Sequence, residues 1–244
     1  MITNSESGTN VHEIAEGIYR INTPVSLPDG NEFNFNQYLI TDEQSLLFHT
    51  GLRGLFPLVR DAVSSVIPVD SLHFLAVSHF EADECGALNE FLSIAPAARP
   101  LCGAISAMVS LGDYADREPR VMQDEEELVL GKHVVRWLDT PHVPHAWDCG
   151  LMMDSTTQTF FCGDLFTQGG AGEVALTESD ILGPSEAFRG SMDYLAHAPA
   201  TSDQLGRMAS YAPTTLACMH GSAWRGDGAA LLKDLAAEIE RQGE

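Results

Sequence analysis

The chain has 244 residues, and 44% of them are hydrophobic, which is enough to bury a substantial core. Lys and Arg number 13 against 35 Asp and Glu, giving a formal net charge of -22 that argues against nucleic acid and anionic membranes as partners. No apolar run approaches the roughly 18 residues that a membrane span needs. Residues 1–10 also lack a basic start and an apolar signal region, so we expect a cytoplasmic protein.

Strands and helices alternate along the predicted chain. One helix is predicted because apolar residues recur at the spacing of a single buried face from Leu55 to Val66, and Pro68 ends it. In chain order, the predicted elements are strands at residues 11–22, 35–40 and 46–48, a helix at 55–66, a strand at 74–77, a helix at 85–92, strands at 134–138, 151–154, 159–162 and 215–219, and helices at 202–211 and 227–241.

This order of elements predicts sheets covered by helices, in an α/β or α+β layered fold. Met153 and Phe160 are predicted to pair in a hairpin, which adds antiparallel strands to the arrangement. The sequence contains no internal repeat and no low-complexity linker. We therefore expect residues 1–244 to form a single domain.

Side chains that can bind metals follow several of the predicted strands. His79, Glu81 and Asp83 alternate after the strand at residues 74–77, so an extended segment would hold them within roughly 13 Å, at about 3.3 Å per residue. A lone His at a strand end is more often a hydrogen-bonding residue than a ligand. Two adjacent carboxylates, however, repel each other unless water or a cation separates them, so the alternation favours a metal site. Further candidates that follow strands are His142, His145, Asp164 and His220.

Four short motifs carry a resemblance to a known family. Residues 78–86, Ser-His-Phe-Glu-Ala-Asp-Glu-Cys-Gly, resemble the H-x-E-x-D-x-x-G signature of the flavodiiron branch of the metallo-β-lactamase superfamily and of stand-alone oxygen-binding di-iron domains. Three further segments match the remaining motifs in the family's order: residues 140–148 (Thr-Pro-His-Val-Pro-His-Ala-Trp-Asp), 161–166 (Phe-Cys-Gly-Asp-Leu-Phe) and 218–222 (Cys-Met-His-Gly-Ser). The match covers nearly the whole chain.

The resemblance implies a four-layer αββα sandwich with a binuclear metal site at one edge, between its two sheets. Two divalent metals would bring four positive charges against three carboxylates, so a further anion would neutralise the site. No catalytic residue is expected beyond the metal ligands themselves. The implied ligands are His79, Glu81 and His145 for one metal, Asp83 and His220 for the other, and Asp164 as the bridge between them.

Three positions depart from the family pattern or leave a choice. Glu84 stands where many relatives have a His, so it either lies behind the ligands or adds a fourth carboxylate, and we favour the first. His145 fits the flavodiiron spacing to Asp164, whereas His142 fits the superfamily's His-x-Pro pattern and remains an alternative ligand. His49 follows a strand where relatives often have Asp, and it is a candidate supporting residue.

The types of ligand favour one of the two metals, iron and zinc, that the resemblance allows. Zinc hydrolases of the superfamily have a second His at the position of Glu81, and a carboxylate-rich set suits iron better, so we expect two iron ions, with two zinc ions as the alternative. Flavodiiron enzymes take electrons from a flavin on a flavodoxin-like domain. We recognise neither that domain nor a phosphate-binding loop, and we expect no bound flavin in this chain.

Two functions of different class follow. The leading hypothesis is a di-iron protein that binds dioxygen or nitric oxide, either as a sensor or as the oxygen-reducing half of a two-protein system. Its partner would be a flavodoxin, a rubredoxin-like protein or a signalling protein, and a homodimer is also considered. The alternative is a zinc metallohydrolase that attacks esters, thioesters or lactams. Both oxidoreductase and hydrolase activity stay open from the sequence.

Overall fold

The computed structural model describes residues 1–243, with side chains described as far as residue 241. The strands are β1 (Asn10–Ala15), β2 (Ile18–Ser26), β3 (Glu32–Ile40), β4 (Leu46–Phe48), β5 (Phe74–Ala76), β6 (Arg99–Gly103), β7 (Arg120–Met122), β8 (Glu127–Val129), β9 (Val134–Asp139), β10 (Gly150–Asp154), β11 (Thr159–Gly163), β12 (Leu176–Thr177), β13 (Thr215–Cys218) and β14 (Ala223–Arg225). The helices are α1 (Phe56–Ser64), α2 (Ala82–Cys85), α3 (Leu88–Ile94), α4 (Ala104–Val109), α5 (Leu111–Tyr114), α6 (Leu182–Ser191), α7 (Thr201–Ser210) and α8 (Gly228–Gly243).

The first sheet contains seven strands in sequence order, from β1 to β7. Strands β1 to β4 are antiparallel to their neighbours, whereas β4 to β7 run parallel. Parallel neighbours need a crossover, and α1 supplies it between β4 and β5, while α2 and α3 supply it between β5 and β6. The C-terminal ends of β4 and β5 therefore lie side by side at one edge of the sheet.

The second sheet also has seven strands, in the order β12-β14-β13-β11-β10-β9-β8. β10 and β11 form the predicted hairpin, with Met153 opposite Phe160. β13 lies parallel to β11, so the chain returns through α6 and α7 before it enters β13. As a result, the segments that follow β11 and β13 emerge next to each other.

Three buried clusters define four layers. Leu47 packs with helix residues such as Val59 and Phe91, whereas its neighbour Phe48 packs in the cluster between the sheets. In the second sheet, Phe160 packs in the cluster on the helix side and Phe161 packs in the cluster between the sheets, because successive strand residues face opposite sides. The architecture is helix, sheet, sheet, helix, which is the predicted αββα sandwich.

Two predicted elements differ from the structure. The strand predicted at residues 11–22 is a hairpin of β1 and β2, because Gly17 takes φ 68° and accommodates the turn. The helix predicted at residues 85–92 starts earlier, at Ala82, and is interrupted after Cys85. Within residues 1–243, no helix has both the length and the apolar character needed to cross a lipid bilayer.

Candidate metal centre

The candidate ligands lie on loops that leave the strands at one edge of the sandwich. His79 follows β5, Asp164 follows β11, and His220 lies in the turn between β13 and β14. His145 lies in the loop between β9 and β10. Loops held by a rigid sheet are where folds commonly carry binding and catalytic residues, and here loops from both sheets meet.

Four of these residues form a first donor cluster, which consists of His79, Glu81, His145 and the Oδ2 atom of Asp164. One donor atom from each residue lies within 4.8 Å of the others. The Nε2 atoms of His79 and His145 are 3.0 Å apart, and they lie 3.2 and 3.0 Å from Glu81 Oε2. Two imidazole nitrogens that point at one spot are stable only when a proton or a metal ion lies between them.

Asp83, His220 and the Oδ1 atom of Asp164 form a second donor cluster. His220 Nε2 is 3.5 Å from Asp83 Oδ2 and 3.4 Å from Asp164 Oδ1. The other oxygen of Asp164, Oδ2, faces the first cluster, at 3.5 Å from His79 and 3.6 Å from His145. Asp164 therefore presents one oxygen to each cluster, which is the arrangement that a bridging carboxylate requires.

The turn after β5 brings the first three candidates together. Glu81 is extended, but its carbonyl accepts hydrogen bonds from Cys85 and the chain then enters α2. Asp83 and Glu84 are thus on the first turn of a short helix and not on a continued strand. The segment curls, and its carboxylates come closer to one another than in an extended chain.

The titratable groups respond to this crowding. Hydrogen bonds from His145 and then His79 lower the pKa of Glu81 to about 2. Burial alone would lower the pKa of His220, but its contacts with Asp164 and Asp83 outweigh burial and raise the pKa to about 9. Without a metal, protons on the imidazoles thus balance the carboxylates, and a cation can replace those protons.

Glu84 is a fourth carboxyl group at this centre. Its side chain is buried, neither oxygen has a hydrogen-bond partner among the described residues, and Oε2 lies 4.0 Å from His79 Nε2. Burial and the nearby charge of Asp164 raise the pKa of Glu84 well above its usual range. Because buried polar groups are almost always paired, this orphaned carboxyl fits a cation held beside it.

His49 supports His79 and does not enter either cluster. Ser78 Oγ lies 2.9 Å from His79 Nδ1 and 2.8 Å from His49 Nε2, and His49 Nδ1 lies 3.1 Å from the sulfur of Met219. Burial lowers the pKa of His49 to about 3, so its ring is neutral. The chain of hydrogen bonds holds the His79 ring with Nε2 toward the cluster.

His220 is held in an equally defined orientation. Its Nδ1 donates a 2.8 Å hydrogen bond to the backbone carbonyl of Asn34 on β3. A carbonyl oxygen only accepts, so Nδ1 carries the proton and the neutral ring has its lone pair on Nε2, toward Asp83 and Asp164. This is the tautomer that metal binding through Nε2 needs.

Of the two candidates on the loop after β9, the structure brings only His145 into the clusters. His142 is exposed, and its backbone takes φ 65°. Its N–H donates to the carbonyl of Ala146, which closes the loop and leaves the His142 ring outside the site.

A cavity of about 170 Å³ lies over both donor clusters. Its remaining wall is largely apolar and consists of Phe33, Thr167, Phe188, Met192 and Tyr194. Phe33 stacks on Phe188 and lies 4.4 Å, between ring centroids, from His220. A larger apolar cavity of about 580 Å³ lies next to it and touches the first cluster through Glu81.

Comparison with known proteins identifies the family. Residues 33–221, more than three quarters of the chain, match the family model described as ODP family beta lactamase. The chain belongs to this ODP family. The matched range contains every residue of the two donor clusters, and the resemblance inferred from the four motifs is confirmed.

Curated relatives of this ODP family chain carry oxidoreductase and flavoprotein names. Rubredoxin-oxygen oxidoreductase from Megalodesulfovibrio gigas is 26% identical over 203 residues, which cover 79% of this chain and 49% of that protein. Diflavin flavoprotein A 2 from Nostoc sp., a name given there provisionally, is 26% identical over 138 residues, 56% of this chain and 24% of that protein. The chain thus spans about half or less of the length of these curated relatives.

Solved structures share the fold of the ODP family chain. The metal-soaked Flv1 flavodiiron core from Synechocystis sp. PCC6803 superposes with a TM-score of 0.82 at 20% identity, over 95% of this chain and 60% of that one. The flavodiiron protein from Giardia intestinalis gives a TM-score of 0.77 at 17% identity, over 95% and 59%. These likenesses confirm the αββα fold.

Sequence reasoning missed the residues that orient the ligands. Ser78 and Met219 each precede a candidate ligand directly, but neither residue type signals a supporting role by itself. Asn34 and Asn36 did leave a signal, because they are polar residues that alternate with Phe33 and Phe35 on a largely buried strand. Such a pattern indicates that one face of the strand meets a buried polar structure.

Proposed function

We propose that the chain holds two iron ions and binds dioxygen or nitric oxide between them. The first ion would be held by the first donor cluster, and the second by Asp83, His220 and Asp164 Oδ1. Glu84, which the sequence led us to expect behind the ligands, would be a further oxygen donor, because its buried carboxyl has no hydrogen-bond partner among the described residues. When bound, a pair of ferrous ions supplies electrons and vacant coordination positions to a diatomic molecule. The observation that carries the proposal is Asp164, whose two oxygens face different clusters.

The donor set supports iron over zinc. Four carboxyl groups and three imidazoles converge on the centre, and none of the five cysteines belongs to the donor clusters. Oxygen and imidazole donors in this proportion favour iron, whereas sulfur and additional imidazoles favour zinc. With Glu84 included, four carboxylates balance the charge of two divalent ions without a further anion.

The cavity supports a small ligand. About 170 Å³ is less than the roughly 300–1,000 Å³ of pockets that hold drug-sized molecules. The walls supplied by Phe33, Phe188 and Met192 are apolar, so they exclude ordered water from part of the space and favour an uncharged molecule. These residues therefore favour a small, uncharged molecule such as a diatomic gas next to the ions.

Reduction of the bound gas would need an electron donor outside the described residues. The relative named rubredoxin-oxygen oxidoreductase is about twice the length that this chain matches. We propose a flavodoxin-like or rubredoxin-like donor, on another polypeptide or domain. If the protein acts as a sensor, its partner would instead be a signalling protein in a permanent complex. That residues 1–244 fold as one metallo-β-lactamase-like domain remains a prediction.

The test is metal analysis of the protein purified without oxygen, followed by an optical spectrum before and after exposure to air. We expect two iron ions per chain and a new absorption band after exposure. Two zinc ions per chain, together with ester hydrolysis that persists without oxygen and reductant, would favour the metallohydrolase and overturn the di-iron proposal.

A further inference from the structure

A buried arginine lies between the sheets, on the β3 side of the His220 turn. Arg20 on β2 has no exposed surface, and no carboxylate of the described residues lies within ion-pair distance of it. Its Nε and Nη1 atoms have no hydrogen-bond partner among those residues. Burying an unpaired cation is costly, so a fold that keeps one there needs a compensating interaction.

The remaining donor group of Arg20, Nη2, contacts Asn22 on its own strand and two loops of the second sheet. Its Nη2 atom donates to the carbonyl of Gly221 at 2.8 Å and to the carbonyl of Gly172 at 2.9 Å. Gly172 takes φ 63°, and a Cβ there would lie 2.6 Å from Arg20 Nη2. The guanidinium therefore joins the turn that carries His220 to the Gly-rich loop after β11.

Asparagines next to Arg20 extend the same contact to His220. Asn34 Oδ1 accepts from the N–H of Gly221 at 2.8 Å, and Asn36 Nδ2 donates to the carbonyls of Cys218 and Gly221, each at 2.9 Å. Asn34 also supplies the carbonyl that receives the Nδ1 proton of His220. The backbone of the turn is thus held on both sides of the ligand by residues of the first sheet.

We propose that Arg20 is a positioning residue of the metal centre, which fixes the His220–Gly221 turn and supplies a permanent positive charge behind the second donor cluster. The proposal rests on the proposed function, since it concerns how that centre holds its ions. Among the described residues, Arg20 supplies the only guanidinium that contacts this turn.

The two roles have separate consequences. Loss of the hydrogen bonds to Gly221 and Gly172 frees the turn, so His220 is held less well and the second ion binds more weakly, by about 10- to 100-fold as for other residues behind a metal ligand. Loss of the positive charge of Arg20 acts through the electrostatic field at the metal centre. Because a nearby positive charge favours the less positive, reduced metal pair, its removal lowers the reduction potential.

Four variants of the full chain distinguish these roles. Arg20→Met removes both the contacts and the charge, and Arg20→Lys keeps the charge but loses the fork of donors. Asn22→Asp keeps Arg20 and places an anion 3.2 Å from Nη2, so the charge is neutralised while Arg20 keeps its contacts with Gly172 and Gly221; the variant loses only the hydrogen bond from Asn22 Nδ2 to the Ala171 carbonyl. Arg117→Met is the matched control, because Arg117 also donates to backbone carbonyls, of Leu92, Ala95 and Ala98, but contacts neither donor cluster.

The readouts are anaerobic titration with ferrous iron, the reduction potential of the loaded protein, and the ¹⁵N spectrum of the His220 ring in metal-free protein. We expect Arg20→Met to weaken the binding of the second iron ion about 10- to 100-fold. It should also lower the reduction potential and shift the ¹⁵N signals of His220. Arg20→Lys should restore most of the potential, Asn22→Asp should lower the potential without weakening the binding of the second ion, and Arg117→Met should change none of these.

Unaltered second-ion affinity, potential and His220 signals in Arg20→Met would overturn the proposal, as would equal changes in Arg117→Met. If Arg20→Met does not fold, Asn22→Asp decides the matter, because an unchanged potential in that variant overturns the role of the charge. If the unaltered chain binds no iron, the proposed function fails. The metal-free ¹⁵N spectra still test the positioning role, and His220 signals that do not change in Arg20→Lys would overturn it.

Discussion

Replacement of Asp164 by Asn tests the central feature of the site, which is one carboxylate shared by two donor clusters. The side chain presents Oδ2 to His79 and His145 and Oδ1 to His220. Asn keeps the shape but loses the charge and one of the two acceptors. One ion position should therefore lose its oxygen donor, and the other should keep only a neutral amide oxygen in place of a carboxylate, so both should bind iron more weakly. Glu81→Gln is the matched control, because Glu81 belongs to the first cluster and not to the second.

The size of the effect can be estimated from binding linkage. At a free metal concentration 100 times the Kd, each site stabilises the folded chain by about 2.7 kcal/mol, so two sites give about 5.4 kcal/mol. For a chain of this size, 1 kcal/mol corresponds to about 2–4 °C, which predicts that iron raises the Tm by roughly 11–22 °C. Glu81→Gln should retain about half of this rise, and Asp164→Asn almost none.

The assay combines an anaerobic ferrous iron titration with thermal unfolding, and each variant is compared with its own metal-free form. That comparison removes any effect of the substitution on the empty protein. If Asp164→Asn still binds two ions with unchanged affinity, Asp164 does not bridge. If it loses one ion while the other binds normally, the carboxylate serves a single position and the shared arrangement is wrong.

Three further changes test the centre and its framework. Glu84→Gln removes the charge of a buried carboxyl whose ionised form is disfavoured by burial and by the nearby Asp164, so it should stabilise the metal-free protein at pH 8 by about 1–3 kcal/mol and reduce the Tm gain on iron loading; a lower Tm in both states would contradict this. The hydrogen bond with Asp154 raises the pKa of His133, whereas burial, which would raise the pKa of Asp154, is outweighed by hydrogen bonds and that pKa is lowered. Stability from this pair should thus be lost as the pH rises from about 6.5 through the raised His133 value, and again below about 3.9 as Asp154 takes up a proton. Urea unfolding of the metal-free protein from pH 6 to 8.5 should reveal the first loss, and His133→Gln should reduce it, leaving the part contributed by His220, whose pKa is also raised; an unchanged slope would refute the assignment. Phe161→Ala empties a fully buried position between the sheets and should cost about 3–5 kcal/mol in urea unfolding, whereas a loss below about 1 kcal/mol would mean that the sheets do not pack there.

Much of the framework could be predicted from local sequence. The spacing from Leu55 to Val66 marks α1, and short apolar runs mark β5, β10 and β11, because these patterns depend only on which side of an element is buried. The same reasoning missed the break between β1 and β2, since a single Gly17 turn hardly interrupts a run of strand-forming residues. The short strands β7, β8 and β12 carry too few residues for a period to be recognised.

Part of the candidate site could likewise be predicted from the sequence, and part could not. Side chains that can bind metal directly after strands are visible in the sequence, but their local pattern alone does not choose between His142 and His145, because the two are three positions apart and both follow β9. The turn at His142, with φ 65°, decides which ring faces the clusters. Motif spacing favoured His145, and the folded loop brings that residue to His79.

By itself, then, the sequence determined the alternating elements, the acidic surface and the chemical types of the candidate ligands. Only the tertiary structure decided that Asp164 faces both clusters, that Glu84 is buried without a partner, and that Arg20 and Asn34 on the first sheet hold the turn of His220. The physical reason is the distance along the sequence between the residues that interact. Periodicity is set by neighbours along the chain, whereas these contacts join residues as far apart as 186 and 201 positions and depend on how the two sheets pack.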